Sequence, residues 1–198
     1  MNYGPIHTNS NVICAIDIRV GGIDPIQSDI LEVCFLPLNH SYRPHPTITP
    51  FNIRMRPSFL VDLKIAKIGR PELSEFEGSM FDQITGCELF ERWWENIRHQ
   101  ENKLIMPLVW NWTYIKPWLD NWLGSTYHHY IHDSYREMMS LLNFMNDRAD
   151  FHGDEPPYKQ PTLAQLFCRS DVKLIDRNSL IANCKGYSDV YRYLLLHK

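Results

Sequence analysis

The stretch CAIDIRVGGIDPIQSDILEV, residues 14–33, decides the reading of the fold. With the three residues before it, it opens as NVICAID (11–17), a short apolar run rich in β-branched residues, which predicts a buried strand. GGIDP follows, and its glycines and proline supply the backbone angles of a turn. DILEVCFLPLN (29–39) then predicts a second strand. Within the first strand, the acid Asp17 is followed two places later by the base Arg19.

Outward from this hairpin, SYRPHPTITP is too rich in proline for a helix or a central strand and reads as a loop. FNIRMRP (51–57) alternates apolar and basic residues and ends on proline, which suits an edge strand and completes an antiparallel meander. In GCELFERWWENIRHQ the apolar Leu89, Phe90, Trp93, Trp94 and Ile97 recur at helical spacing. LIMPLVW (104–110) predicts a buried strand, KPWLDNWLG (116–124) a helix stopped by Gly124, and HHYIHD (128–133) a last short strand. SYREMMSLLNFMND, TLAQLFCRS with Thr162 as its cap, and NSLIANCKGYSDVYRYLLLHK predict three further helices. The order β-β-β-α-β-α-β-α-α-α fits an α/β fold with a mixed central sheet flanked by helices, in a single domain of 1–198 with residues 1–10 as an N-terminal tail.

Composition sets the class. Of 198 residues, 44% are hydrophobic and 22% charged, the balance of a soluble globular chain with a full core. No apolar run reaches the roughly 20 residues of a membrane helix, and the N-terminus has no secretory pattern, so a cytoplasmic protein is expected. Five scattered cysteines without a C-x-x-C pair read as reduced, buried thiols, not as a zinc site or a disulfide framework. Net charge is −3, but it is segregated: residues 41–70 carry six bases against the single acid Asp62, and residues 71–101 carry eight acids against two bases. The basic segment, with Arg54, Arg56, Lys64, Lys67 and Arg70, reads either as a solvated surface or as a rim that meets nucleic acid or an acidic partner.

Several stretches together resemble the DEDD (DnaQ-like) superfamily of 3′–5′ exonucleases, of ribonuclease H-like fold, and most of all a phage and bacterial branch of it. The family opens on D-x-E and then D-x-I-L-E-[IV]; here stand Asp17-Ile18-Arg19 and Asp29-Ile30-Leu31-Glu32-Val33. Its G-H-N-W-x-F-D motif resembles Val109-Trp110-Asn111-Trp112-Thr113-Tyr114-Ile115, and H-D-A-L-x-D-C resembles Asn178-Ser179-Leu180-Ile181-Ala182-Asn183-Cys184. The resemblance implies a site in which four carboxylates hold two divalent metals about 4 Å apart while a histidine serves as general base. Position by position, only Asp17 remains a carboxylate. The family's glutamate is Arg19, its second aspartate Ile115, its histidine Asn178 and its last aspartate Asn183.

Magnesium and manganese want hard, negative oxygens. A guanidinium about 4 Å from a divalent ion, at an effective dielectric near 20, opposes it by on the order of 8 kcal/mol. Asn178 cannot take up a proton near neutral pH. The expectation is a pseudo-exonuclease with no resident cofactor, beyond weak Mg²⁺ or Mn²⁺ binding at a lone Asp17, and with Arg19 paired to Asp17. It would act by holding a protein partner or single-stranded nucleic acid, with Trp110 and Asn111 beside the cleft, and away from membranes. The resemblance also suggests a phage-type inhibitor or accessory factor in the host cytoplasm. The rival expectation is an active exonuclease with rearranged ligands such as Asp17, Asp133 and Glu137; a third is a homodimer-forming structural subunit. His128 and His132, four apart beside Asp133, form a further metal candidate.

Overall fold

The computed structural model describes residues 11–98, 103–158 and 179–196. Five strands form one sheet: β1 (Val12–Val20), β2 (Ile30–Pro37), β3 (Phe51–Arg54), β4 (Ile105–Val109) and β5 (Arg136–Glu137). Their spatial order is β3-β2-β1-β4-β5. The first three strands are the antiparallel meander read from the sequence, whereas β4 joins β1, and β5 joins β4, in parallel. Parallel neighbours need a crossover, and helices supply it on both sides of β4: α1 (Leu63–Ala66), α2 (Arg70–Glu77) and α3 (Gln83–Arg98) before it, α4 (Trp112–Leu123) and α5 (Tyr127–Tyr130) after it. Among the described residues two long helices follow, α6 (Met138–Phe151) and α7 (Leu180–Leu196).

Strand alternation divides the core. Cys14, Ile16 and Ile18 of β1 pack with α3 and α4, and Ile13 and Ala15 pack with α6 and α7. Phe90, fully buried on α3, centres the first layer, its ring 4.7–5.8 Å from those of Phe35, Phe51, Trp93, Trp122 and Tyr130. Trp118 and Trp122 belong to this layer, as their helical spacing implies.

The β1–β2 ladder holds one irregularity. Arg19 faces Glu32 and Val20 faces Ile30, so Leu31 is an extra residue in β2. That bulge turns Leu31 into a third, smaller cluster with Ala66, Ile68 and Phe76 of the α1–α2 region.

Three segments differ from the sequence expectation. HHYIHD is not a strand: residues 127–130 form α5, and only Ile131 makes a bridge, to Ile105. Burying Tyr127 and Tyr130 three residues apart uses helical spacing, which wins over the short alternation. The helix expected at 116 begins at Trp112 behind an Asn111 cap, which places Pro117 inside it, where the ring removes one intrahelical N–H donor. Helices α1 and α2 stand where no element was expected, while the helix expected around Thr162 lies outside the described residues.

Phe90→Ala is expected to cost about 3–5 kcal/mol in equilibrium urea unfolding, and Phe90→Leu distinctly less, because the alanine leaves a void among five rings.

Candidate functional site

The α7-facing side of β1 and β2 carries the polar residues of the sequence motif. Asp17 is half-buried, and its carboxyl is enclosed by donors. Oδ1 accepts from the backbone N–H of Ile18 (3.0 Å), and Oδ2 accepts from Asn183 Nδ2 (2.9 Å). The hydroxyl of Tyr187 also donates to the carboxylate. Burial nevertheless pushes Asp17 up to about 6, against the three hydrogen bonds and the nearby Arg19, which hold it down. Burial and then the charge of Asp17 push Tyr114 and Tyr187 up in turn.

The side chain of Arg19 is only 13% exposed. Its ion pair crosses the strands to Glu32, Nη1 to Oε2 at 3.9 Å, which corrects the expected pairing with Asp17. Asp17 already has its own donors, while Glu32 is Arg19's register partner across the ladder. Arg54 approaches the same carboxylate from β3, Nε to Oε1 at 3.7 Å, and reaches Glu75 at 2.9 Å. Both guanidinium groups lie over the Phe76 ring, at 5.9 and 5.3 Å from its centroid. Helix α2 therefore roofs this end of the sheet. Burial raises Glu32 above the ordinary carboxylate range, and Arg54 and Arg19 partly offset it.

Beside this cluster opens a cavity of about 530 Å³, lined by Glu32, Asn52, Arg54, Ser79, Phe81 and Ser179. The other expected residues disperse. Ile115 is buried in the aromatic core layer; the α4 side chain whose ionisation responds to Asp17 is that of Tyr114. Trp110 is half-buried against the α6–α7 layer, and Asn111 caps α4 by accepting from Tyr114 N (3.1 Å). Arg56, Lys64, Lys67 and Arg70 are exposed, and Asn178 lies outside the described residues. Glu137 has both oxygens engaged, Oε1 by the N–H of Trp112 (2.7 Å) and Oε2 by the hydroxyl of Ser140. It finishes the first turn of α4. His128 and Asp133 pair loosely in solvent (3.9 Å), and His132 Nδ1 accepts from Ser134 N. Among the described residues no three His, Cys, Asp or Glu side chains come together in a metal-binding arrangement.

Several solved structures superpose on this chain. The Exonuclease I of Methylocaldum szegediense does so with a TM-score of 0.67 at 11% identity, over 95% of this chain and 41% of that one. The nuclease domain of 3′hExo, a DEDDh family member bound to rAMP, gives 0.62 at 12% identity over 96% and 94%. Cell-death related nuclease 4 gives 0.64 at 10% identity over 94% and 64%. This is the exonuclease fold. The chain thus spans 41% of the M. szegediense exonuclease and 64% of the cell-death related nuclease. No protein-family model matches the sequence, and no curated protein does.

Against the two-metal centre that an exonuclease fold implies, the donor set here does not fit. Asp17 already receives three hydrogen bonds, a guanidinium occupies the neighbouring strand position, and residue 115 contributes an alkyl group to the core. Tyr114 and Tyr187 were not foreseen as site residues, and Arg54, expected in a basic rim, was not foreseen as a partner of Glu32. Only Glu32 carried a signal, as an acid on an apolar strand.

Because the folded-state value of Asp17 lies near 6 and its ordinary value near 4, the folded protein holds this proton more tightly than the unfolded chain between those limits. Its contribution favours folding at low pH and is lost as pH rises from about 4 to about 6, by roughly 3 kcal/mol. Asp17→Asn is expected to remove that component, so that the variant gains on the wild type across this window in denaturant melts. A wild-type-minus-variant difference that stays flat from pH 4 to 7 would contradict the assignment.

Proposed function

We propose that this chain is a pseudo-exonuclease, which holds a partner on an exonuclease fold without cutting nucleic acid. The observation that carries the reading is the setting of Arg19. A cation stands where the family resemblance calls for the second acid, ion-paired with Glu32 at 3.9 Å and covered by the ring of Phe76. A surface arginine could swing away to admit a metal. Moving this one out would take from the buried Glu32 (3% exposed) one of its two cations and leave Arg54 alone to offset its charge. The partner is a protein, and the same reading makes the chain a phage-type inhibitor or accessory factor in a host cytoplasm.

A second reading, retention of single-stranded nucleic acid, is favoured by one neighbour, Escherichia coli Exonuclease I, solved in complex with a dT13 oligonucleotide (TM-score 0.62, 12% identity). On this chain the strand would run past the cavity beside Arg54. Arg54 is already shared between Glu32 and Glu75, which weakens its offer to a phosphate.

With labelled single-stranded DNA and RNA, in Mg²⁺ and separately in Mn²⁺, the wild type is expected to release no more product than Asp17→Ala. Arg19→Glu alone is expected to stay equally silent, since it sets a second carboxylate against Glu32 without restoring the remaining ligands. Metal-dependent cleavage by the wild type that disappears in Asp17→Ala would overturn the proposal. A mobility-shift series in rising salt decides the second reading, because binding through phosphates weakens steeply with ionic strength.

A further inference from the structure

Helix α6 buries Met138 and Leu142, and half-buries Leu141 and Met145 against the α7 layer. Its outer face has no such cover among the described residues. Phe144 and Phe151 stand 61% and 85% exposed there. Seven residues are close to two full turns of an α-helix, so the two rings lie on one stripe. Two large aromatic side chains left side by side in solvent mark an interaction surface.

The loop after α6 is held against the end of the helix. Gly153 takes φ 77°, in the left-handed region that favours glycine, and the N–H of Asp154 donates back to Ala149 O at 2.9 Å. Asn146 then fastens Tyr158, donating to its carbonyl and accepting from its N–H, each at 2.8 Å. Asp154 is thereby kept beside the last turn of α6, on which Asp147 and Asp150 are also exposed. None of these three aspartates makes an ion pair or a side-chain hydrogen bond among the described residues. From Asp147 to Glu155 the chain carries four acids against Arg148 and the imidazole of His152. The C-terminus of the helix adds a partial negative charge of its own.

We propose that the outer face of α6 is a docking surface for a basic segment of a protein partner, which lays a large apolar side chain over Phe144 and Phe151 and sets Lys or Arg against Asp147, Asp150 and Asp154. Two separate features ask for the same cation. The carboxylates attract it through their charge, and an exposed phenyl face attracts it over the ring. The acids also exclude the other occupants. Bases stack on such rings, but the phosphates of their strand would run past Asp147, Asp150 and Asp154, which repel them. An anionic lipid surface meets the same repulsion. Two copies joined α6 to α6 would bring each acidic edge towards its own counterpart, with one arginine apiece to offset it. The inference takes from the pseudo-exonuclease reading only the existence of a protein partner, and its location is independent of the Asp17 site.

Peptide-display selection on the full-length wild-type chain, followed by titration of the enriched peptides as synthetic probes, tests it. Expected are sequences that place Lys or Arg beside Trp, Phe, Leu or Met. Their binding is expected to weaken about tenfold or more in the Phe144→Ser/Phe151→Ser and the Asp147→Lys/Asp150→Lys double variants. It is expected to weaken as salt rises and to be unchanged in Leu60→Ser, an exposed control on the segment after β3. Thermal melts establish that each variant remains folded; should a double variant unfold, Phe151→Ser and Asp154→Lys carry the test. A selection that enriches nothing, or peptides that lack basic residues or ignore these substitutions, overturn the proposal. So does binding of single-stranded DNA, or concentration-dependent self-association, that the double phenylalanine variant abolishes. A synthetic peptide with the sequence of residues 159–178 that displaces the selected ones would assign the face to the chain itself and overturn it too. Nuclease activity in the earlier assay would remove the pseudo-exonuclease reading while leaving this surface to stand on the peptide result.

Discussion

The buried pair of Arg19 and Glu32 is the constraint around which the polar end of this fold is organised. Removing two charges from water costs several kcal/mol per ion, recovered only when the interior supplies partners. Here the partners are supplied by three elements. Arg54 comes from the edge strand, Asn52 donates to Glu32 from that same strand, and Phe76 offers its ring to both guanidiniums from α2. The bulge at Leu31 anchors α2 by adding an aliphatic side chain to its cluster. With arginine at position 19, the roof over the strand is what keeps the charge tolerable.

Much of the architecture was legible because it rests on pattern. The meander, the buried β4 and the amphipathic α3 and α7 each announce themselves by period and by turn residues, and the order of elements then leaves few arrangements. What was missed depends on tertiary context. Helix α1 is four residues long and α2 only eight, and α2 buries Phe76 alone. Neither supplies enough period to read, and both exist because the α1–α2 cluster needs them. The short run at 128–133 shows alternation and helical spacing equally, and the packing of Tyr127 and Tyr130 decides between them.

The candidate site divides along the same line. That position 17 carries a carboxyl while positions 19, 115, 178 and 183 carry Arg, Ile, Asn and Asn is plain in the sequence. That Arg19 would turn to Glu32 and leave Asp17 to other donors is not, because the choice depends on a cross-strand register with a bulge in it. Likewise, motif spacing points to residue 115, whereas the helix starting at Trp112 turns Ile115 into the core and leaves the adjacent Tyr114 to feel the charge of Asp17. Glu137 reads as a spare acid near a cleft, yet the orphan N–H of Trp112 claims it.

A two-metal site imposes a conflict on an empty protein: several carboxylates crowd together and repel until cations arrive. In this chain each acid that remains near that position has been given separate employment. Asp17 bonds directly to an amide and a phenol on α7, so that helix is fastened to β1 by hydrogen bonds. Glu32 pairs with two arginines, and Glu137 caps a helix. The opposite face of the sheet, built from Phe35, Phe51, Phe90 and the tryptophans, takes no part in these exchanges. The fold is therefore held from one side by aromatic packing and closed on the other by internal charge pairing.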